Sequence, residues 1–329
     1  MKKTYFRHLT VLLLIGAVLL LMYTGIFSRP TAKEPGQYSV ILYQNTDGDW
    51  TTLLEGIRQA EKDDSAVVNY VTMPLDSSPE NELELIRREA DNGAEGILLA
   101  PIDSESLLED VEAISKDVPI LTLETGLGTQ DADISGDNYA MGHLLGTHVA
   151  SDMEKNREKT VCVIKEYMQR QSVQQRCLGF TDAIKELIPD ADIRTYSRSE
   201  GDYNLPLCIA SMYVQGNTGI YLAALDKYCT EALIEASSTS LLDGDAQSLF
   251  RNRAFGIGNT EKTVSGLDTG SIRGLVYQNE FHMGYQGLQS LIAESRNKKP
   301  EQNTEVRYYY VTLETLYEPE NQQLLFPLK

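Results

Sequence analysis

Basic side chains are scarce in this chain once its first residues are passed. Five of the 29 Lys and Arg fall at Lys2, Lys3, Arg7, Arg29 and Lys33, and none of the 48 Asp and Glu precedes Glu34, which leaves 24 basic against 48 acidic groups beyond Lys33. Binding to phosphate backbones needs clustered basic groups, so a nucleic-acid surface is excluded. Cysteine is sparse as well: Cys162, Cys177, Cys208 and Cys229 are widely spaced, with no Cys-x-x-Cys pair and no histidine near enough to complete a zinc site. They read as buried free thiols, with a disulfide open to them outside the cell. His143 and His148 stand five apart without an adjacent Glu and His282 is alone, so structural roles are expected and neither metal nor cofactor. Enzyme signatures are missing too. There is no Gly-x-Ser-x-Gly elbow, no His-Glu-x-x-His, no P-loop and no Gly-x-Gly-x-x-Gly after a strand, and acids are too abundant for any pair to specify glycosidase chemistry. The chain is not expected to be an enzyme.

Long hydrophobic runs are absent apart from one, the 19 uncharged residues Leu9–Phe27. As a helix this run is about 28 Å long, enough to span a bilayer once. The basic residues before it keep the N-terminus cytoplasmic. No Ala-x-Ala site follows Phe27, so residues 1–29 read as an uncleaved signal-anchor and 30–36, with Pro30 and Pro35, as a linker. The expected location is the cell membrane, single-pass, with the remainder extracytoplasmic. A repressor would carry a basic helix-turn-helix where this apolar span stands.

From Tyr38 onward, short β-branched runs alternate with segments of helical period, the pattern of an α/β protein with parallel sheets and crossover helices. Strands are expected at 38–43, 67–72, 97–100 and 119–123, and again at 160–165, 192–196, 219–223, 254–257, 274–277 and 306–313. Thr52-x-x-Glu55 has capping-box spacing, and Ser78 followed by Pro79 opens the next helix. The alternation starts afresh near Thr160, so two Rossmann-like lobes are expected, with the ligand beyond the strand carboxyl ends in the cleft between them. Those ends carry Asn45, Asp47, Trp50, Glu124 and Thr125 in the first half, and Arg176, Tyr203, Asp226, Asn259 and Gln278 in the second. Flat aromatics suit the C–H faces of a sugar, and multiply bonding polar groups suit its hydroxyls.

Seven segments in order, at 38–50, 93–107, 118–126, 133–142, 172–184, 220–233 and 270–291, resemble the type I periplasmic sugar-binding proteins. This is the ribose-binding family, whose fold is shared by LacI-type effector domains. The resemblance implies two lobes, 37–137 with 280–309 and 138–279 with 310–329, joined by a multi-strand hinge. It implies capture of a small polar ligand, a sugar, by hinge closure for an ABC transporter permease, with a sensor kinase as the alternative partner. By position, Asp47 matches a polar residue of the first binding loop, Trp50 a ring-stacking aromatic, and Glu124 the acid after the fourth strand. Arg176 matches the arginine before the Gly-Phe pair, Tyr203 an aromatic of the second lobe, and Gln278 a hinge glutamine. Plainer roles stay open: caps for Asp47, Asp49 and Asp226, core packing for Trp50 and Tyr203, a surface ion pair for Arg176. Asp137 and Asn138 read as structural caps. Thr125 replaces a usual arginine, Leu225 an asparagine, Gly258 an aspartate with Asn259 beside it, and Asp49 an aromatic, so a modified sugar or another polar molecule is expected rather than an ordinary aldopentose.

Overall fold

The central strands of this chain bury both faces, and their side chains sort by alternation. The computed structural model describes residues 8, 13–18, 20, 35–44, 48–74, 76–197, 204–216, 219–298 and 305–325. The N-terminal residues described are helical, with Leu13, Leu14, Ile15, Val18 and Leu20 exposed. Among the described residues no helix is long and apolar enough to cross a membrane, and the rest of the Leu9–Phe27 run lies outside them.

Gly36–Lys329 forms one unit containing two sheets. Lobe I begins β1 (Gln37–Gln44), α1 (Thr51–Asp64), β2 (Val67–Pro74) and α2 (Pro79–Asp91). It continues with β3 (Ile97–Leu99), α3 (Leu108–Ile114) and β4 (Ile120–Thr122), in a parallel sheet ordered β2-β1-β3-β4. Val40 and Leu42 face a core shared with Leu53, Ile57 and Leu288; Ile41, between them, faces Ile86, Ile97 and Val111. The sheet is therefore the middle of three layers.

Lobe II runs α4 (Asn138–Lys155), β5 (Thr160–Ile164), α5 (Gln171–Leu187), β6 (Asp192–Tyr196), α6 (Leu205–Gly216) and β7 (Tyr221–Ala224). Next come α7 (Lys227–Ala236), α8 (Gly244–Arg253), β8 (Ala254–Ile257), α9 (Glu261–Asp268) and β9 (Gly274–Gln278). The chain then crosses to lobe I as α10 (Glu280–Ser295), returns as β10 (Tyr308–Thr312) and ends in α11 (Pro319–Leu325). The sheet order is β10-β9-β8-β7-β5-β6. In both lobes the order reverses beside the first strand, between β1 and β3 and between β5 and β7, and a crevice opens at such a switch point.

Two expectations need correction. β10 is shorter than 306–313 and pairs antiparallel with β9, Tyr308 opposite Gln278. β9 leaves the lobe through the hinge and β10 enters by it, so the two must run in opposite directions. The Thr52–Glu55 capping box does not form: the helix starts at Thr51, and its N-cap is Trp50, with no side-chain cap. Trp50 is pinned inward by donating its indole N–H to the Tyr43 carbonyl, and that fixes the helix start. Ser78 does cap α2, accepting from the Asn81 amide.

Each lobe also holds one helix pair at glycine contact distance. A Cβ on Gly179 of α5 would lie 2.0 Å from the Tyr139 carbonyl oxygen of α4, and one on Gly284 of α10 would lie 2.1 Å from that of Leu53. Only glycine permits this approach, which presses α5 onto α4 and sets the position of Arg176.

Candidate functional site

The two switch points face each other across the hinge, and the residues that follow their strands meet there. In lobe I the chain leaving β4 turns sharply at Glu124, whose φ of 65° lies in the left-handed region and folds the strand end back over the cleft. The Glu124 carboxylate accepts from Arg176 Nη2 of lobe II at 2.7 Å and from the Tyr43 hydroxyl at 3.0 Å. Arg176 is held ready by its own lobe, donating Nε to Asn138 Oδ1 at 2.8 Å and Nη1 to the Leu225 carbonyl at 3.3 Å. Asn138 is therefore more than the helix cap expected of it: it orients the arginine. Burial pushes the Glu124 carboxyl up, but Arg176, Arg170, Lys227 and the Tyr43 hydroxyl together outweigh it and hold the group below the usual carboxylate range.

A second cross-lobe contact joins Tyr43, whose hydroxyl accepts from Arg170 Nη1 at 2.7 Å. A third joins Trp50 to Lys227: the Nζ sits 3.4 Å from the centre of the indole ring and donates to the Asp49 carbonyl at 2.8 Å. Burial drives the Lys227 ammonium down despite the carboxylates of Glu280, Asp49 and Glu124. Glu280, at the first turn of α10, is raised by burial against the pull of Lys227 and a hydrogen bond with Asn259. Thr125, wholly buried, accepts the Ser172 amide at 2.9 Å, and Ser104 accepts that of Gln171 at 2.9 Å, so the back of the cleft is stitched by backbone donors.

Of the residues expected from sequence, Trp50, Glu124, Arg176, Asp226, Asn259 and Gln278 line one space between the lobes. Thr125 supports it from behind. Asp226 caps α7 through the amides of Tyr228 and Cys229, and its Oδ2 has no hydrogen-bond partner. Gln278 Oε1 accepts the Gly136 amide at 3.1 Å, tying two hinge crossings together. Asp47, Asn45 and Tyr203 lie outside the described residues. Sequence reading missed Tyr43, Arg170, Lys227 and Glu280, which line the same space. The available signal was positional: Arg170 and Lys227 follow β5 and β7, the pair of strands flanking the switch point.

The space enclosed is about 30 Å³, room for a water or two and far less than a sugar ring. Asn259 and Glu280 also line an outer groove of about 900 Å³, together with Asp49, Thr52 and Glu55 of one lobe and Glu231 and Lys262 of the other. The inner groups satisfy one another across the cleft, so a ligand of sugar size is admitted only when the lobes part. No cluster of three metal-ligating side chains occurs among the described residues. His143 pairs with Glu186 at 3.1 Å, and His148 lies flat on Tyr310 with ring centres 3.5 Å apart. All four cysteines are free thiols.

The periplasmic binding protein domain family matches residues 38–299. This chain belongs to that family. Its members are substrate-binding proteins of transport rather than enzymes. A curated relative, the D-allose-binding periplasmic protein of Escherichia coli, is 21% identical over 287 residues, covering 84% of this chain and 89% of the relative. Among solved structures, a carbohydrate transporter solute-binding protein from Agrobacterium radiobacter in complex with D-arabinose aligns with a TM-score of 0.78 at 22% identity, over 89% of this chain and all of that one. An ABC transporter solute-binding protein from Agrobacterium vitis with bound D-fucose aligns at 0.73 and 18%, over 88% of this chain and all of that one. The shared fold of these binding proteins is the two-lobed architecture described above.

Proposed function

We propose that this chain is an extracytoplasmic solute-binding protein that captures a sugar or sugar-like polar ligand by hinge closure and presents it to an ABC permease. One observation carries the reading: Glu124 with Arg176, Tyr43 with Arg170, and Trp50 with Lys227 each join one lobe to the other across the cleft. Once the lobes part, Lys227 withdraws with lobe II and leaves Trp50 a free face for ring C–H groups, while the polar groups turn to hydroxyls. A ligand that binds both sides then stabilises closure by as much as it prefers the closed form. The sugars bound by the relatives, D-allose, D-arabinose and D-fucose, are the first to try.

In this reading residues 1–29 anchor the chain in the membrane and 30–36 tether the lobes beside the permease. Alkaline extraction of membranes from cells making the full-length chain should leave it in the pellet, and release into the supernatant would remove the anchor. For the binding function, a thermal-shift screen of pentoses, hexoses and deoxy sugars is the test. One or a few sugars should raise the melting temperature, and the rise should be lost in Arg176→Ala. A panel in which no carbohydrate acts but amino acids do would overturn the sugar reading, and turnover of a bound sugar would overturn pure binding.

A further inference from the structure

Arg170 stands apart from the other cleft charges. The residue is 2% exposed and follows β5 at the switch point, with its guanidinium 4.9 Å from the ring centres of Tyr43 and Tyr167 and 5.8 Å from that of Tyr228. Its Nη1 donates to the Tyr43 hydroxyl, but Nε and Nη2 have no hydrogen-bond partner. Those two nitrogens form the side-on edge of the guanidinium, two parallel donors spaced for the two oxygens of a carboxylate. Among the described residues Arg170 takes part in no ion pair, whereas Arg176 has Glu124. Tyr43, Asp226 and Glu124 hold the buried guanidinium charged through space, but no carboxylate bonds its Nε–Nη2 edge, and a paired carboxylate there would add two charge-assisted hydrogen bonds. The same space holds a second orphan of opposite kind, Asp226 Oδ2, which needs a donor.

We infer that the ligand is a sugar acid, whose carboxylate takes the Nε–Nη2 edge of Arg170 while the hydroxyl on the neighbouring carbon donates to Asp226 Oδ2. A neutral sugar supplies acceptors to the guanidinium but no counter-charge; an aldonate supplies both, together with the adjacent hydroxyl. Neither Arg170 nor its free edge was legible as a ligand contact from the sequence, and the inference rests on the cleft being the sugar site.

The test is calorimetric titration of the purified full-length protein with D-gluconate and D-galactonate, beside D-glucose, D-galactose and D-glucose 6-phosphate. An aldonate should bind about 10- to 100-fold more tightly than its neutral counterpart. Arg170→Lys, which keeps the charge and loses the paired edge, should weaken the aldonate by about tenfold or more. Aldonates that bind no better than the neutral sugars overturn the inference and leave the sugar reading standing. Tighter binding of the sugar phosphate also overturns it, because the anion would then not be a carboxylate. A folded native protein that binds neither sugars nor acids removes both readings. Should Arg170→Lys fail to fold, the ligand series on the native protein decides the matter.

Discussion

Arg176→Ala should unlock the cleft without unfolding either lobe. Two of the three bonds made by this guanidinium, to Asn138 and the Leu225 carbonyl, lie within lobe II and survive opening; only the 2.7 Å bond to Glu124 crosses the cleft. A hydrogen bond to a charged group contributes about 1.5–3 kcal/mol. Stranding one partner of a buried pair costs about 3–5 kcal/mol, and both groups here are nearly buried, at 4% and 8% side-chain exposure. The two ranges meet at about 3 kcal/mol, roughly a 100-fold shift toward the open form. Trp50 reports that shift because it is the one tryptophan of the chain, is 2% exposed, and has a ring face covered by Lys227 from the other lobe. The variant should emit at longer wavelength and be quenched more strongly by acrylamide than the native protein, with far-UV circular dichroism unchanged. Equal quenching in the two proteins would refute the assignment of Glu124–Arg176 as the latch, and loss of the circular dichroism signal would show that the pair holds the fold itself.

Lys227→Ala should expose the same ring face and raise acrylamide quenching of Trp50, and unchanged quenching would mean that Lys227 does not cover the ring in solution. Glu82, buried in lobe I with one oxygen accepting the Ile102 amide and the other unpartnered, has its carboxyl pushed by burial from 4.5 up to about 8. A raised carboxyl favours the folded state when protonated, so its stabilisation is complete below pH 4.5 and is lost as pH climbs to about 8. Glu82→Gln should flatten that decline, and melting curves that fall in parallel for the two proteins between pH 5 and 8 would contradict it. Gly179→Ala places a methyl against the Tyr139 carbonyl and should cost about 1–3 kcal/mol by overpacking, read as a lower denaturation midpoint, and should weaken ligand binding by displacing Arg176. Native-like stability would show that α4 and α5 separate freely.

Local signals in the sequence carried the fold and about half of the cleft. Ser78-Pro79 marks a helix start because the capping bond closes within four residues. Glu124 and Asp226 are legible because they end strands, and strand ends are where an open sheet binds. What stayed hidden depends on the opposite lobe. Lys227 reads as an ordinary first-turn lysine until Trp50 is placed above it, and Asn138 as a cap until Arg176 arrives from a helix 38 residues on. Tyr43 looks like one more strand hydrophobe, and its hydroxyl gains meaning only from Arg170, 127 residues away. The direction of β10 was equally nonlocal, since it follows from where α10 leaves the chain.

The two lobes part and shut on a small polar guest, so the width of the cleft must change with ligand. Thr51 and Ser265 are exposed on opposite walls of the outer groove, so spin labels at Thr51→Cys and Ser265→Cys, with Cys177 and Cys208 replaced by serine, measure the gap directly. Without ligand the distance distribution should contain a long and a short component, and a saturating ligand from the thermal-shift screen should collapse it onto the short one. A single distance that ligand leaves unchanged would contradict the account.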